Sequence, residues 1–340
     1  MILDIFRNDA FGVLELTDVL NKQPFVPGWA GQVIAWEDQS VSTPNVAIEE
    51  NQGVVKLIST SARGTPANQN TPTQRKVRAL RVPHLAVEDT VTADEVQGVR
   101  ELGTDSALQG VQSVVNQRLG QMGQNLDLTL EHLRVGALKG IILDADGVTP
   151  IVNLFTELNV PVPAVVDLDL ATTPEGALRP KLHGIKRTIA KTLGNAPFRY
   201  LHAFCGAAFY DAASSNVEIR AAFKFPGDAA FLRADLAAGG GGGAGQFQFA
   251  GVIFQEYFGG IGDTPFVADD EAIFFPVGVP GLYRQYWAPA DFNETANTPG
   301  RPRYAKQAVD PEFQRYVKLH VQSNPLPLVT RPNALIRATA

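Results

Sequence analysis

A stripe of apolar residues between positions 108 and 137 constrains this chain more than any other feature of its sequence. Its members recur every three or four positions without a break: Leu108, Val111, Val115, Leu119, Met122, Leu126, Leu130, Leu133 and Ala137. This spacing places them on one face of a helix. With Thr104 or Asp105 as the cap and Gly140 as the end, the sequence predicts one long helix over 104–138. At about 1.5 Å per residue it would be roughly 45–50 Å long, which suits the spine of an elongated subunit.

A basic segment precedes this helix. No acidic residue lies between Asn51 and Val87, whereas six basic residues do: Lys56, Arg63, Arg75, Lys76, Arg78 and Arg81. Val54–Thr60 and Lys76–Val82 are predicted strands, and the Gly-, Pro- and Asn-rich residues between them are a predicted tip. Because an isolated hairpin is marginal in water, we expect this arm to lie on another surface. A loose surface loop is the alternative.

The charge of the basic segment has two interpretations. It could bind nucleic acid, but it contains no aromatic residue for base stacking. The whole chain has a net charge of −6, which argues against wrapping nucleic acid. We favour charge complementarity with an acidic neighbouring subunit, with Arg63, Arg75, Lys76, Arg78 and Arg81 as candidate inter-subunit contacts.

The rest of the chain mixes helices and strands without regular βα alternation, which predicts the α+β class. We expect two strands joined at the DADG turn of 144–147, a helix over Pro174–Leu193, and single strands in RYLHAFCG, FQFAGVIFQEYFGG and EAIFFPVG. Two final strands are predicted after Arg315. The glycine run of 237–245 is a predicted flexible loop and lacks the Lys-Ser/Thr of a phosphate-binding loop.

The sequence GIILDADGVTP offers an enzymatic alternative. An apolar strand followed by Asp-x-Asp-Gly resembles the nucleophile loop of haloacid-dehalogenase-like phosphatases, with Asp144 as nucleophile and Asp146 as acid/base. Asp263, Asp269 and Asp270 would then be candidate ligands for Mg²⁺. A DG hairpin turn explains the same loop. A long helix and a basic hairpin before it also do not fit a doubly wound sheet, so the phosphatase is the less favoured interpretation.

Other residue types provide no catalytic motif, cofactor site or metal site. The five histidines show no HxxH spacing. Asp167 and Asp169 alternate with apolar residues and are expected on the solvent face of a strand. The single cysteine, Cys205, excludes an intramolecular disulfide and is expected to pack as a small hydrophobe. We expect neither a membrane span nor a secretory signal, and we expect the protein not to be an enzyme.

Three pieces of the C-terminal sequence carry a resemblance to a known family. They are a strand ending in Phe275-Pro276, the run APADFNETANT followed by YAK, and the closing QSNPLPLVTRPNALIRA. These pieces resemble the C-terminal region of the lambda-type (E family) major capsid proteins of tailed bacteriophages. The resemblance implies the tailed-phage major capsid protein fold.

The resemblance also implies a division of the chain. Residues 1–50 would be the N-terminal arm and 51–88 the E-loop hairpin. Residues 89–195 would form the peripheral domain, with the spine helix 104–138. Residues 196–310 would be the axial domain, and 311–340 the strands that return to the peripheral domain.

The implied function is a major capsid protein that self-assembles into hexamers and pentamers of an icosahedral shell. The shell would enclose double-stranded DNA without sequence-specific binding, and would be assembled in the host cytoplasm. Residues 1–50 contain no long charged helical segment, so a separate scaffolding protein is expected. A portal protein at one vertex and a decoration protein are the other expected partners.

Overall fold

A computed structural model of the chain describes residues 17, 20, 28–51, 75–96, 111–194, 196–222, 245–261, 264–313 and 315–340. The helices are α1 (Trp29–Val33), α2 (Ala93–Val96), α3 (Val111–Lys139), α4 (Leu154–Leu158), α5 (Leu178–Thr192), α6 (Ala207–Ser215) and α7 (Val217–Ala222). The strands of the first half are β1 (Glu37–Ser40), β2 (Asn45–Asn51), β3 (Arg75–Arg81), β4 (Leu85–Thr92), β5 (Ile141–Leu143), β6 (Pro150–Asn153) and β7 (Val166–Asp167). Those of the second half are β8 (Tyr200–Cys205), β9 (Gln246–Phe249), β10 (Val252–Glu256), β11 (Gly260–Ile261), β12 (Thr264–Pro265), β13 (Glu271–Val277), β14 (Tyr283–Trp287), β15 (Tyr304–Val309), β16 (Tyr316–Ser323), β17 (Pro325–Val329) and β18 (Ile336–Thr339).

The largest sheet has six strands in the order β7-β18-β13-β8-β10-β9. It is mixed, because β10 runs parallel to β8 and β7 parallel to β18, whereas the other pairs are antiparallel. Its centre is aromatic, with Phe204, Phe254, Phe274 and Phe275 at most 1% exposed. Helix α5 packs its apolar face into the same core.

The long helix α3 joins two hydrophobic clusters. Residues 114–126 of the helix pack against β4, β15 and β16, which form a three-stranded sheet. Residues 133–138 belong to the larger core around the six-stranded sheet. The predicted apolar stripe is confirmed from Val115 to Ala137, all of whose members are buried. The start predicted at 104–110 lies outside the described residues.

The predicted end of the long helix is confirmed at Gly140. This residue has a φ of +80°, which favours glycine, and its N–H donates to the carbonyl of Ala137. A Cβ added at this position would lie 2.3 Å from the ring of Phe155. Both backbone conformation and space therefore require glycine here.

The three C-terminal strands belong to three different sheets. Strand β16 lies between β15 and β4, β17 pairs with β14, and β18 pairs with β13. The prediction of two final strands was therefore wrong, because the chain leaves one sheet at Ser323 and enters the next at Pro325. Strands β16 and β17 both contact α3.

The prediction of one strand in FQFAGVIFQEYFGG was wrong. Ala250 and Gly251 have φ values of 51° and 77° and turn the chain into the hairpin β9–β10. Asp169, with a φ of 50°, lies beyond β7 rather than within a strand. The two strands around the DADG turn are confirmed as β5 and β6, but helix α4 follows them where a strand was expected.

Residues 28–50 of the predicted N-terminal arm contain regular secondary structure. Helix α1 and strand β1 lie within them, and β1 pairs in parallel with β14. Strand β2 continues across the predicted boundary at residue 50. The predicted strand Val54–Thr60 and residues 237–244 of the glycine run lie outside the described residues. None of the helices in the described ranges has the length and apolar character to cross a membrane.

Candidate assembly interface

The base of the predicted E-loop hairpin is formed by β2 and β3. The two strands are antiparallel, with Asn45 opposite Arg81 and Asn51 opposite Arg75. One face of this base joins the body of the subunit, because Val46, Ile48 and Leu80 are buried. The opposite face is open to solvent, and Val77 on it is 63% exposed. Hence the hairpin is anchored at its base and presents a free face.

The structure places the predicted contact residues in different surroundings. Arg63 lies outside the described residues, and Arg75 and Lys76 are described only as part of β3. Arg78 donates from Nη1 to the backbone carbonyl of Glu157 in α4, so it holds the hairpin base to its own subunit. Arg81 is exposed. Contact with a neighbouring copy stays a prediction for all five.

An open groove of about 710 Å³ lies beside the hairpin base. One wall contains Arg81 and His84, and the other contains the start of the APADFNETANT run. Asn324 connects the two walls, since its Oδ1 lies 3.0 Å from Nδ1 of His84 and its Nδ2 donates to the carbonyl of Pro289. Through Asn324, the APADFNETANT run is therefore held against the residues that follow β3 at the base of the hairpin.

The APADFNETANT run is held by its own hydrogen bonds. A short 3-10 helix spans Asn293–Thr295, and Thr295 is buried. Its Oγ1 donates to the carbonyls of Ala290 at 2.9 Å and Phe292 at 3.1 Å. These bonds satisfy a buried hydroxyl, so the run has a structural role.

The DADG turn does not form a phosphatase site. Asp146 accepts bonds from the backbone N–H groups of Val148 and Thr149 and from the Thr149 hydroxyl, which lower the pKa of its carboxyl. Asp144 accepts from the N–H of Ala145. In the described part of the chain, the preceding strand β5 pairs with β6 alone, in a two-stranded sheet, whereas the phosphatase loop requires a doubly wound sheet. The carboxylates therefore stabilise a hairpin turn.

His202 and Cys205 are buried residues of the core around the six-stranded sheet. Burial lowers the pKa of His202 to about 4, and its Nε2 lies 2.9 Å from Oε1 of Gln255. Cys205 is fully buried, as expected, and burial raises the pKa of its thiol. Among the described residues, no group of three or more His, Cys, Asp or Glu side chains could hold a metal ion.

Two buried acidic side chains of α3, Glu131 and Asp127, hold the N-terminal part of the chain against the helix. Glu131 accepts from the N–H of Ala30 at 2.7 Å and from the hydroxyl of Tyr257 at 2.9 Å. Burial raises the pKa of Glu131, and the bonds to Ala30 and Tyr257 partly offset this effect. A Cβ on Gly28 would lie 2.1 Å from the Glu131 side chain, so this segment passes very close to the helix.

The second fastening point is an ion pair. Arg303 is 2% exposed, and its Nη2 lies 2.5 and 2.6 Å from the two carboxylate oxygens of Asp127. Its Nη1 donates to the carbonyl of Leu20 at 3.2 Å. Sequence reasoning missed both acidic residues, since an isolated carboxylate beside an apolar stripe is typical of a solvent-facing residue.

Comparisons with known proteins agree on one family. A model of the family described as phage major capsid protein E matches residues 12–340. The chain is 24% identical to the major capsid protein of Pseudomonas phage KPP10, over 97% of each chain. It is also 24% identical to that of Salmonella phage Felix O1, over 97% of this chain and 96% of the relative.

Solved structures show the same fold. The putative capsid protein of a prophage of E. coli CFT073 superposes with a TM-score of 0.60 at 13% identity, covering 96% of this chain and 98% of that one. The capsid of cyanophage P-SCSP1u gives a TM-score of 0.53 at 12% identity, with 94% of each chain covered. The fold is therefore the α+β fold of phage capsid proteins, as the sequence predicted.

Proposed function

The chain belongs to the phage major capsid protein E family, and we propose that its copies form hexamers and pentamers of an icosahedral shell that encloses double-stranded DNA. As a member of this family it is a structural protein of the phage capsid and not an enzyme. The observation that carries the proposal is the family match over 12–340, because it includes the hairpin base, the long helix and the C-terminal strands. Each contact between copies can be weak, since many form at once.

Expression of the chain with and without the other head proteins of its phage tests this proposal. Negative-stain electron microscopy and sedimentation should show closed shells built of five- and six-membered rings. A protein that stays monomeric at all concentrations, even with those head proteins, would contradict the proposal. Hydrolysis of p-nitrophenyl phosphate that is lost in Asp144→Asn would instead revive the phosphatase.

The proposed partners follow from shell assembly. A separate scaffolding protein guides the curvature of the growing shell, a portal protein occupies one vertex, and a decoration protein binds the finished surface. Assembly takes place in the host cytoplasm. Mass spectrometry of precursor and finished particles tests this set, since a scaffold should be present only in the precursors. Precursors that contain this chain alone would refute it.

The division into arm, hairpin, peripheral domain and axial domain is part of the proposal. The packing of β16 and β17 on α3 supports the return of residues 311–340 to the peripheral domain. The anchored base and free face of β2–β3 support the hairpin as an element that reaches a neighbouring copy.

The basic residues of the hairpin are proposed to contact an acidic surface of that neighbour. Arg75→Glu combined with Arg81→Glu, at two positions of the free face, should block particle formation while the circular dichroism of the subunit stays unchanged, because like charges would then face each other. Lys318→Glu, at an exposed lysine of β16, is the matched control and should leave the yield unchanged. Normal yield from the double variant would contradict this role.

A further inference from the structure

Cations gather at one end of the six-stranded sheet. We call this set the basic end, and its members are Lys186, Arg187, Lys191 and Arg199. Arg187 and Lys191 each lie two positions after a buried isoleucine of α5, so they project from the opposite side of the helix. Arg187, Lys191 and Arg199 are exposed and Lys186 is partly exposed.

Two contacts place Lys186 and Arg199, and Arg187 and Lys191 lie next to Lys186 and one turn after Arg187 on α5. Nζ of Lys186 lies 3.4 Å from the site of a Cβ on Gly251, in the turn that begins β10. The N–H of Arg199 donates to the carbonyl of Val277 at the end of β13, immediately before β8 begins. Strands β8 and β10 are parallel, so the basic end lies where both of them start.

Acidic side chains gather at the other end of the same strands. We call Asp211, Glu256 and Asp269 the acidic end. Glu256 is the last residue of β10, and the carbonyl of Asp269 accepts from the N–H of Phe209 in the first turn of α6. Burial raises the pKa of Glu256, and the negative charge of Asp211 raises it further, so these two carboxylates repel each other within the subunit.

Phe258 adds an apolar group to the acidic end. Its side chain is 57% exposed, which is unusual for a phenylalanine of a folded subunit. It lines the same shallow pocket as Glu256 and Asp269. A surface with an aromatic centre and a charged rim has the composition of a protein interface.

Within the described residues, neither end has an ion-pair partner in its own subunit. Of the ion pairs found in the described ranges, none includes a member of the basic end or the acidic end. Gly251 and Glu256 are five residues apart on an extended strand, which separates the two ends by roughly 17 Å. The two ends are therefore too far apart to pair within one copy.

We propose that the basic end of one copy binds the acidic end of the next copy in each ring of the shell. The inference rests on the proposed assembly of rings and names the surfaces that close them. A ring of identical subunits joined head to tail needs two different patches that complement each other. The chain carries such a pair at opposite ends of one sheet. Duplex DNA is the competing occupant of the basic end, but it would leave Phe258 and the carboxylates of the acidic end without a partner.

Charge reversal with compensation tests the proposal. Arg187→Glu, Lys191→Glu and Arg199→Glu together reverse the charge of the basic end, because only Lys186 remains of its cations. This triple variant should lower the particle yield at least about tenfold, because the loss recurs at every contact. Asp211→Lys with Asp269→Lys should do the same. The chain that carries all five changes should recover the yield of the wild type, because its charges are exchanged and complementary. Lys318→Glu is again the control, and thermal melts should show each subunit folded.

Mixing the triple variant with the double variant provides a second readout. The triple variant has two acidic ends and the double variant has two basic ends, so they can only alternate around a ring. Alternation closes a ring of six but not a ring of five. We expect the mixture to form hexamers and open sheets or tubes without closed shells.

The outcomes separate this inference from the proposed function. If the wild type forms no shells, the proposed function fails. If the wild type assembles and Arg187→Glu with Lys191→Glu and Arg199→Glu assembles equally well, the inference alone is overturned. If the five-fold variant stays defective while the triple variant forms shells that retain less DNA, the basic end binds DNA and the inference is also overturned.

Discussion

Removal of the Asp127 carboxylate should destabilise the subunit by about 3–5 kcal/mol. The side chain of Arg303 is 2% exposed. Asp127→Ala removes the two bonds, of 2.5 and 2.6 Å, that join its Nη2 to the carboxylate oxygens of Asp127. The guanidinium keeps its bond to the carbonyl of Leu20 but loses a charged acceptor. Loss of a charged partner costs a buried cation more than an exposed one, because the buried cation has lost its hydration.

Urea unfolding of unassembled subunits, followed by circular dichroism, measures this effect. With a slope of about 3 kcal/mol per molar urea, the midpoint should fall by about 1–1.7 M. Glu294→Ala is the matched control, since the pair of Glu294 and Lys306 has a separation of 3.0 Å but is exposed. It should cost no more than about 1 kcal/mol. Asp127→Leu combined with Arg303→Met should recover most of the loss, since no buried charge remains.

A small effect at Asp127 would refute this reasoning. If its midpoint moves by less than about 0.3 M at an unchanged slope, the pair is worth under about 1 kcal/mol and burial does not set its contribution. Equal midpoint shifts in Asp127→Ala and Glu294→Ala would also show that burial does not distinguish the two pairs.

Three further predictions concern single positions. Gly206→Ala should lower the urea midpoint, because its Cβ would lie 2.0 Å from the carbonyl oxygen of Ala268. Gly184 lies inside α5 with open space around it, so Gly184→Ala should raise the stability of the subunit by about 1 kcal/mol. Burial raises the pKa of the Glu131 carboxyl above 4.5, so the folded subunit holds this proton more tightly than the unfolded chain. The stability of the subunit therefore falls as the pH rises from 4.5 towards the raised pKa. The urea midpoint should fall less steeply over this pH range in Glu131→Gln, and equal slopes in the variant and the wild type would contradict the assignment. The thiol of Cys205 should not react with Ellman's reagent in the folded subunit and should react after unfolding in guanidinium, and rapid labelling of the folded form would show that it is accessible.

The elements that the sequence predicted well are those with a long local pattern. The stripe that ends at Ala137 and the glycine at 140 define α3 because helix periodicity and a positive φ both leave a residue signature. Helix α4 had a usable signal as well, since Asn153 caps it by accepting from the N–H groups of Phe155 and Thr156.

The elements that were missed depend on contacts distant in sequence. The turn at Ala250 was missed because alanine carries no preference for a positive φ, and the alternating pattern continues through it. The step from β16 to β17 at Asn324 is set by the sheets that receive each strand. Strand β1 forms because it pairs with β14, which lies almost 250 positions later in the sequence.

The candidate interface was predictable only in part. A cluster of basic residues can be recognised directly, but the sequence does not reveal that Arg78 bonds the carbonyl of Glu157 in its own chain. The opposed charges at the two ends of β10 become visible only once β8 and β10 are paired in register.

Because α3 packs against two separate sheets, it transmits force between them. The helix is a rod of about 44 Å, with one sheet packed on its first half and the other on its second. A force that pushes outward on either sheet reaches the other as a bending moment along this rod. The stiffness of this one helix therefore sets how far the two sheets of a subunit can move relative to each other.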